Sequence, residues 1–231
     1  MTETPEIAPA IAKASEEHVP VWDVLLADPP WKYNDRNGKG SRFGAGAPGQ
    51  YKGMKPEDIA AMPMGAYGAA RSMLFLWATW PLLPEALSVM AAWGYRYTTI
   101  GFLWVKIEAD GSPVHGGGFY SKANTEPCLI GVRGRPMKPA VDTVSSVILS
   151  PLREHSRKPE ACRTRISLMY PNARKIELFC RESARGWATW GDEVDEPGFA
   201  RQSKLFEDGA PGVLFKGPGV GKGSPIAEEG A

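Results

Sequence analysis

Short runs of aliphatic, aromatic and β-branched residues recur along the chain at Trp22–Ala27, Ser72–Trp77, Tyr97–Val105, Pro127–Val132, Val144–Leu149 and Lys175–Cys180. Several are apolar at successive rather than alternate positions, the pattern of strands covered on both faces, and predict a largely parallel sheet. Helical spacing falls between them. After Pro84, the residues Leu87, Met90 and Trp93 follow Leu83 near a 3.6-residue period, and Gly94 stands where a left-handed cap is usual. A second helix is expected from Pro159 to Tyr170, with Ile166 and Met169 inward and Pro171 beyond its end, and a third from Pro56. The alternation predicts an α/β fold, an open sheet with helices on its faces. Trp80, Trp93 and Trp104 are expected to pack in the core, with base stacking as the alternative.

The pattern fades at both ends. Residues 1–20 are rich in Ala, Glu and Pro, and residues 196–231 in Gly, Pro and charge, so flexible tails are expected around one domain at 21–195. A chain of 231 residues can close such a core without disulfides or a structural metal. Cys128, Cys162 and Cys180 lack CxxC spacing, and buried thiols in a reducing cytoplasm are expected rather than a zinc site. No apolar run has membrane-spanning length, and the first residues are acidic rather than leader-like, which points to a cytoplasmic protein without a membrane partner.

The formal net charge of +1 averages over unlike segments. From Lys32 to Lys55, six basic residues face the single acid Asp35, an excess of +5, and from Leu152 to Arg181 eight face three, again +5. Such local excess suits a polyanion such as nucleic acid, although a solvated surface would look the same.

The most informative stretch is Leu25-Leu26-Ala27-Asp28-Pro29-Pro30-Trp31. Two prolines end the strand and stiffen the turn, and ligands of open α/β sheets sit beyond the carboxyl ends of strands. Asp28 and Trp31 then face a crevice. The exocyclic amine of adenine is a poor nucleophile because its lone pair is delocalised into the ring. Asp28 could accept one of its N–H groups and the Pro29 carbonyl the other, drawing the nitrogen toward attack geometry while Trp31 stacks on the base. Pro30 fixes the turn. No metal is needed for such a displacement. The structural alternative is a capping turn with Trp31 in the core.

In these residues the sequence resembles the MT-A70 family of adenine-N6 methyltransferases, and further matches follow in order from Trp22 to Asp195. They are Gln50-Tyr51-Lys52-Gly53-Met54, Leu74-Phe75-Leu76-Trp77, Trp93-Gly94-Tyr95 and Trp104-Val105-Lys106, then Glu126 to Gly134, His155 to Glu160, Arg174 to Arg181 and Trp187 to Gly191. The resemblance implies a Rossmann-like fold, dependent on S-adenosylmethionine, with permuted motif order: the catalytic strand early and the cofactor strand late. It implies Asp28, Pro29, Pro30 and Trp31 as catalytic residues. The cofactor residues would be Asp28, Lys158, Arg181, Ser183, Asp192 and Glu193, with Lys158 reaching the cofactor's carboxylate. Lys32, Tyr33, Arg36, Tyr51 and Glu126 would bind substrate.

There are departures from the family pattern. Ser183 and Ala184 replace a usual His-Asn after the arginine, and Asp192 and Glu193 replace a usual Asn-Gln, so those cofactor contacts are altered. The expected function is methyl transfer to the N6 amine of adenine in nucleic acid, with DNA favoured over RNA. The chain would act as a monomer or dimer, or with a related partner subunit. Cytosine-N4 methylation is disfavoured because those enzymes carry Ser at the position of Asp28. A non-catalytic nucleic-acid-binding subunit remains the alternative from another class. The basic segment Lys32 to Gln50 is expected to be a loop that closes on the target strand, or else a plain insertion.

Overall fold

The computed structural model describes residues 21–32, 53–118, 120–152, 157–180 and 182–191. Seven strands form one sheet: β1 (Trp22–Ala27), β2 (Gly68–Trp77), β3 (Arg96–Ile107), β4 (Thr125–Arg133), β5 (Val147–Pro151), β6 (Lys175–Leu178) and β7 (Ala188–Trp190). Their spatial order is β5-β3-β4-β2-β1-β6-β7. Three helices accompany them: α1 (Pro56–Ala61), α2 (Leu83–Ala92) and α3 (Ala161–Met169).

β1 lies between β2 and β6, parallel to both, and Val24 to Ala27 are all buried. The continuous apolar run is explained by cover on both sides. Leu25 and Ala27 share one core with Ile59 of α1 and Met90 of α2, while Val24 and Leu26 share the other with Cys162 and Ile166 of α3. Each large side chain buried in this way is worth about 1.5–3 kcal/mol. Two of the buried indoles find acceptors: Trp93 donates to the Ile59 carbonyl at 3.1 Å and Trp104 to the Ser150 carbonyl at 2.9 Å.

The sheet is largely parallel, as the sequence predicts, with one exception. β4 runs antiparallel to both of its neighbours, β2 and β3. A parallel return would need a crossover, usually helical, and residues 108–124 form none among the described residues. Smaller differences have local causes. β5 begins at Val147 rather than Val144. β6 stops at Leu178 because Phe179 takes the left-handed conformation, φ 61°. α3 starts at Ala161, and β7, with three residues, is too short to show a period. Trp93 and Trp104 are 2 % and 1 % exposed as expected, but Trp80 is 42 % exposed and is not a core residue.

Gly94 adopts φ 81° after α2, and Arg133 closes the end of that helix. Its guanidinium donates to the carbonyls of Gly65, Gly68, Trp93 and Gly94 and lies 4.5 Å from the centre of the Tyr95 ring. All three cysteines are buried and unbridged, and no described helix is long and apolar enough to cross a membrane.

Candidate active site

Asp28 follows the last residue of β1 at the carboxyl edge of the sheet, and the two prolines after it cannot extend the ladder. The turn is fixed from outside instead. The Met54 amide donates to the Pro30 carbonyl at 2.7 Å, the Lys32 amide to the Met54 carbonyl at 2.9 Å, and the Trp31 indole to the Trp77 carbonyl at 3.0 Å. Trp31 is thereby tethered to the end of β2. The Pro29 carbonyl accepts the Trp31 amide at 2.9 Å, which engages one lone pair and leaves the second for a ligand.

Asp28 belongs to an alternating chain of charges. Lys158 Nζ lies 2.8 Å and 3.0 Å from the two Asp28 oxygens and 3.3 Å from Glu126 Oε2. Glu126 Oε1 in turn lies 2.5 Å from Lys106 Nζ. Lys106 and Lys158 also sit 5.2 Å and 5.8 Å from the ring centres of Trp104 and Trp77. Burial pushes the Glu126 carboxyl up, but Lys158 and Lys106 outweigh it and hold the group below the usual carboxylate range. Burial opposes the charge of Lys158 too, yet Asp28 and Glu126 raise its pKa above that of an ordinary lysine. Both stay charged at neutral pH.

A second ionic group stands across the same cleft. Arg163 of α3 pairs with Glu177 at 2.9 Å and Glu182 at 2.8 Å, and Arg157 pairs with Glu182. Burial raises the Glu177 carboxyl despite Arg163. Burial, with Glu177 nearby, pushes the Cys180 thiol up to about 12, and burial together with Cys162 raises Cys128. These thiols are protonated and poor nucleophiles. Leu26, Trp77 and Phe179 give the cleft apolar walls between its charges. Phe179 holds its left-handed backbone while stacked on Trp93 and edge-on to Trp190, with ring centres 6.4 Å and 5.2 Å away.

The structure thus brings together Asp28, Glu126 and Lys158, with Trp31 fixed beside them. Lys32 is exposed on the bridge to Met54. Ser183 is exposed and does not line the cleft; Glu182 does, as a larger side chain with its carboxylate drawn in by Arg163. Tyr33, Arg36, Tyr51, Arg181, Asp192 and Glu193 lie outside the described residues, as do His155, the segment 33–50 and both tails. Sequence reasoning missed Lys106, Arg163, Glu177 and Glu182 as parts of the site. Lys106 and Glu177 carried a signal, each a charge directly flanked by apolar residues within a strand.

A Type II methyltransferase, M.MunI, from a Mycoplasma species is 29% identical over 76% of this chain and 78% of its own length. The N6-methyladenosine RNA methyltransferase MTA1 of Cryphonectria parasitica is 29% identical over 76% of this chain but 52% of its own. The human N(6)-adenosine-methyltransferase catalytic subunit METTL3 is 27% identical over 74% of this chain and 28% of its own. The chain therefore spans about half or less of the latter two. The family profile MT-A70 matches residues 22–193. With its carboxylate edge, its seven-stranded α/β sheet and that match over most of its length, the chain belongs to the MT-A70 family of adenine-N6 methyltransferases.

Proposed function

We propose that this protein transfers a methyl group from S-adenosylmethionine to the N6 amine of adenine in nucleic acid, with DNA as the favoured polymer and the cytoplasm as its place of action. The observation that carries the reading is Asp28: a carboxylate at the carboxyl edge of the central strand, followed by a turn that is stapled on both sides.

The cleft has the donor set for this cofactor. It offers Asp28 and the Trp77 ring near a cation, Lys158 for a carboxylate, acids for ribose hydroxyls and Phe179 as an apolar wall. When bound, the cofactor would supply an electrophilic methyl on a sulfonium, which the amine attacks in line with the neutral thioether as leaving group. Asp28 would accept one amine N–H and the free lone pair of the Pro29 carbonyl the other, pyramidalising the nitrogen and aiming its lone pair. Trp31, held by its indole N–H, gives the base a fixed wall. The surplus proton of the methylated amine would pass to the Asp28 carboxylate and then to water. Lys158 must leave at least one Asp28 oxygen for the amine, and a cofactor carboxylate is the natural destination for its charge.

DNA is favoured because the bacterial Type II methyltransferase is matched over 78% of its length, and the RNA methyltransferase MTA1 over 52%. Action alone or beside a related partner subunit is compatible with this reading.

The test is transfer of a labelled methyl group to matched single- and double-stranded DNA and RNA oligonucleotides, with nucleoside digestion of the product. N6-methyladenine in DNA, lost by at least about a hundredfold in Asp28→Ala, is the expected result. Tight donor binding without transfer to any polymer would instead point to a missing partner or an inactive subunit, and no donor binding to a non-catalytic binding module.

A further inference from the structure

Trp80 is an exposed tryptophan at the carboxyl edge of the sheet. Ala27 pairs with Leu76, so Asp28 is level with Trp77, and Trp80 lies three residues farther along the same carboxyl edge. At about 3.3 Å per extended residue and about 4.8 Å between neighbouring strands, that places it within about 15 Å of Asp28. The chain stays in register for one residue past β2, with the Ala78 amide donating to the Pro127 carbonyl at 3.0 Å, and Trp80 then begins a single 3-10 turn, Trp80–Leu82. Whereas Trp77, Trp93, Trp104 and Trp190 are no more than 2 % exposed, Trp80 is 42 % exposed. Yet it is not loose. Its indole N–H donates to Thr125 Oγ1 at 2.8 Å, and Thr125 immediately precedes Glu126 of the ionic chain.

An exposed tryptophan by itself means little. An indole oriented by a hydrogen bond rather than by burial, on the rim of a site that must accept a base, is a preorganised stacking surface. Resting on the methyltransferase reading above, we propose that Trp80 stacks on the base adjoining the target adenine in an unpaired DNA strand. An adenine that reaches Asp28 has left its stack, and the neighbour it abandons exposes a face. The Trp80 ring covers that face, and stacking demands no particular base because every base has one. The enzyme accordingly prefers single strands, or duplex that is already locally open.

The test is a binding measurement, so it stands whether or not transfer is detected. Fluorescence anisotropy follows a labelled single-stranded DNA with one adenine, in the presence of S-adenosylhomocysteine, together with oligonucleotides carrying an abasic residue on either side of that adenine. Trp80→Ala is expected to weaken binding of the intact strand roughly tenfold and to bind one of the abasic strands as well as the unaltered protein does. Thr125→Val, which keeps the ring and removes its tether, should lose a smaller part of the affinity on the same strand only. Trp80→Phe, which keeps a ring without the N–H, should behave like Thr125→Val and serves if the alanine variant fails to fold. An equal loss on intact and abasic strands, or no loss on any, would overturn the proposal.

Discussion

At the scale of single residues, Lys158 is the pivot of the site. It holds both Asp28 oxygens and reaches Glu126, so its removal leaves two carboxylates facing one another in a poorly solvated place. Lys158→Met should destabilise the fold by about 3 kcal/mol in urea unfolding and weaken S-adenosylmethionine in calorimetric titration. Intact stability and intact donor affinity together would remove Lys158 from the role assigned to it. The pH dependence follows from the same pairs. Glu126 has a folded pKa below its unfolded value, so its contribution is present above the unfolded value of about 4.3 and is lost as pH falls through the folded one. Lys158 is shifted the other way, so its contribution is full below about 10.4 and is lost only as pH rises through its folded value. Thermal melting should therefore show a plateau between about pH 5 and 8, a fall above about pH 8.5 as the thiols of Cys128 and Cys180 ionise only in the unfolded chain, and an acid fall that is shallower in Glu126→Gln. The sequence displayed Asp28 to Trp31 because those residues are contiguous and their chemistry is local. Lys106, Glu177 and Glu182 act through partners on other strands or on a helix, and no linear spacing records such pairings.

Among the elements, β1 has the bounds its apolar run predicted, since burial on both faces marks a strand at every position. The direction of β4 was not written in its own residues, because an apolar run reads alike either way. Its surroundings carried the signal: Gly111, Pro113 and Gly116-Gly117-Gly118 offer no helix for a crossover. The junction of α2 with β4 is the least forgiving point in the frame. A Cβ at Gly65 would run into the Trp93 carbonyl and displace the Arg133 guanidinium. Gly65→Ala should cost about 2 kcal/mol or more, read as a lower urea midpoint at unchanged slope. A neutral result would mean that the Arg133 clamp yields without loss.

For the molecule as a whole, the near-zero net charge conceals an uneven distribution along the chain. The +5 excess between Lys32 and Lys55 follows directly on the turn that carries Asp28. If that excess meets phosphates, oligonucleotide affinity should fall at least about tenfold between 50 and 200 mM salt. Replacing Arg36 and Arg42 together by serine should flatten that slope while donor affinity stays as it was. An unchanged slope would return these charges to ordinary solvation.

The reversal of β4 has a consequence for how such a protein can change. In a wholly parallel sheet the beginnings and ends of strands lie on opposite edges. Here β3 ends in Lys106 and Ile107 where β4 begins with Thr125 and Glu126, so one hairpin delivers a cation and an anion to the same rim. The hydrogen bond between those two side chains ties the base of the hairpin shut beneath residues 108–124. The part of that loop beyond Val114 and before Asn124, which bond the Lys106 backbone, can therefore lengthen, shorten or be exchanged while the pair of charges below it stays tied.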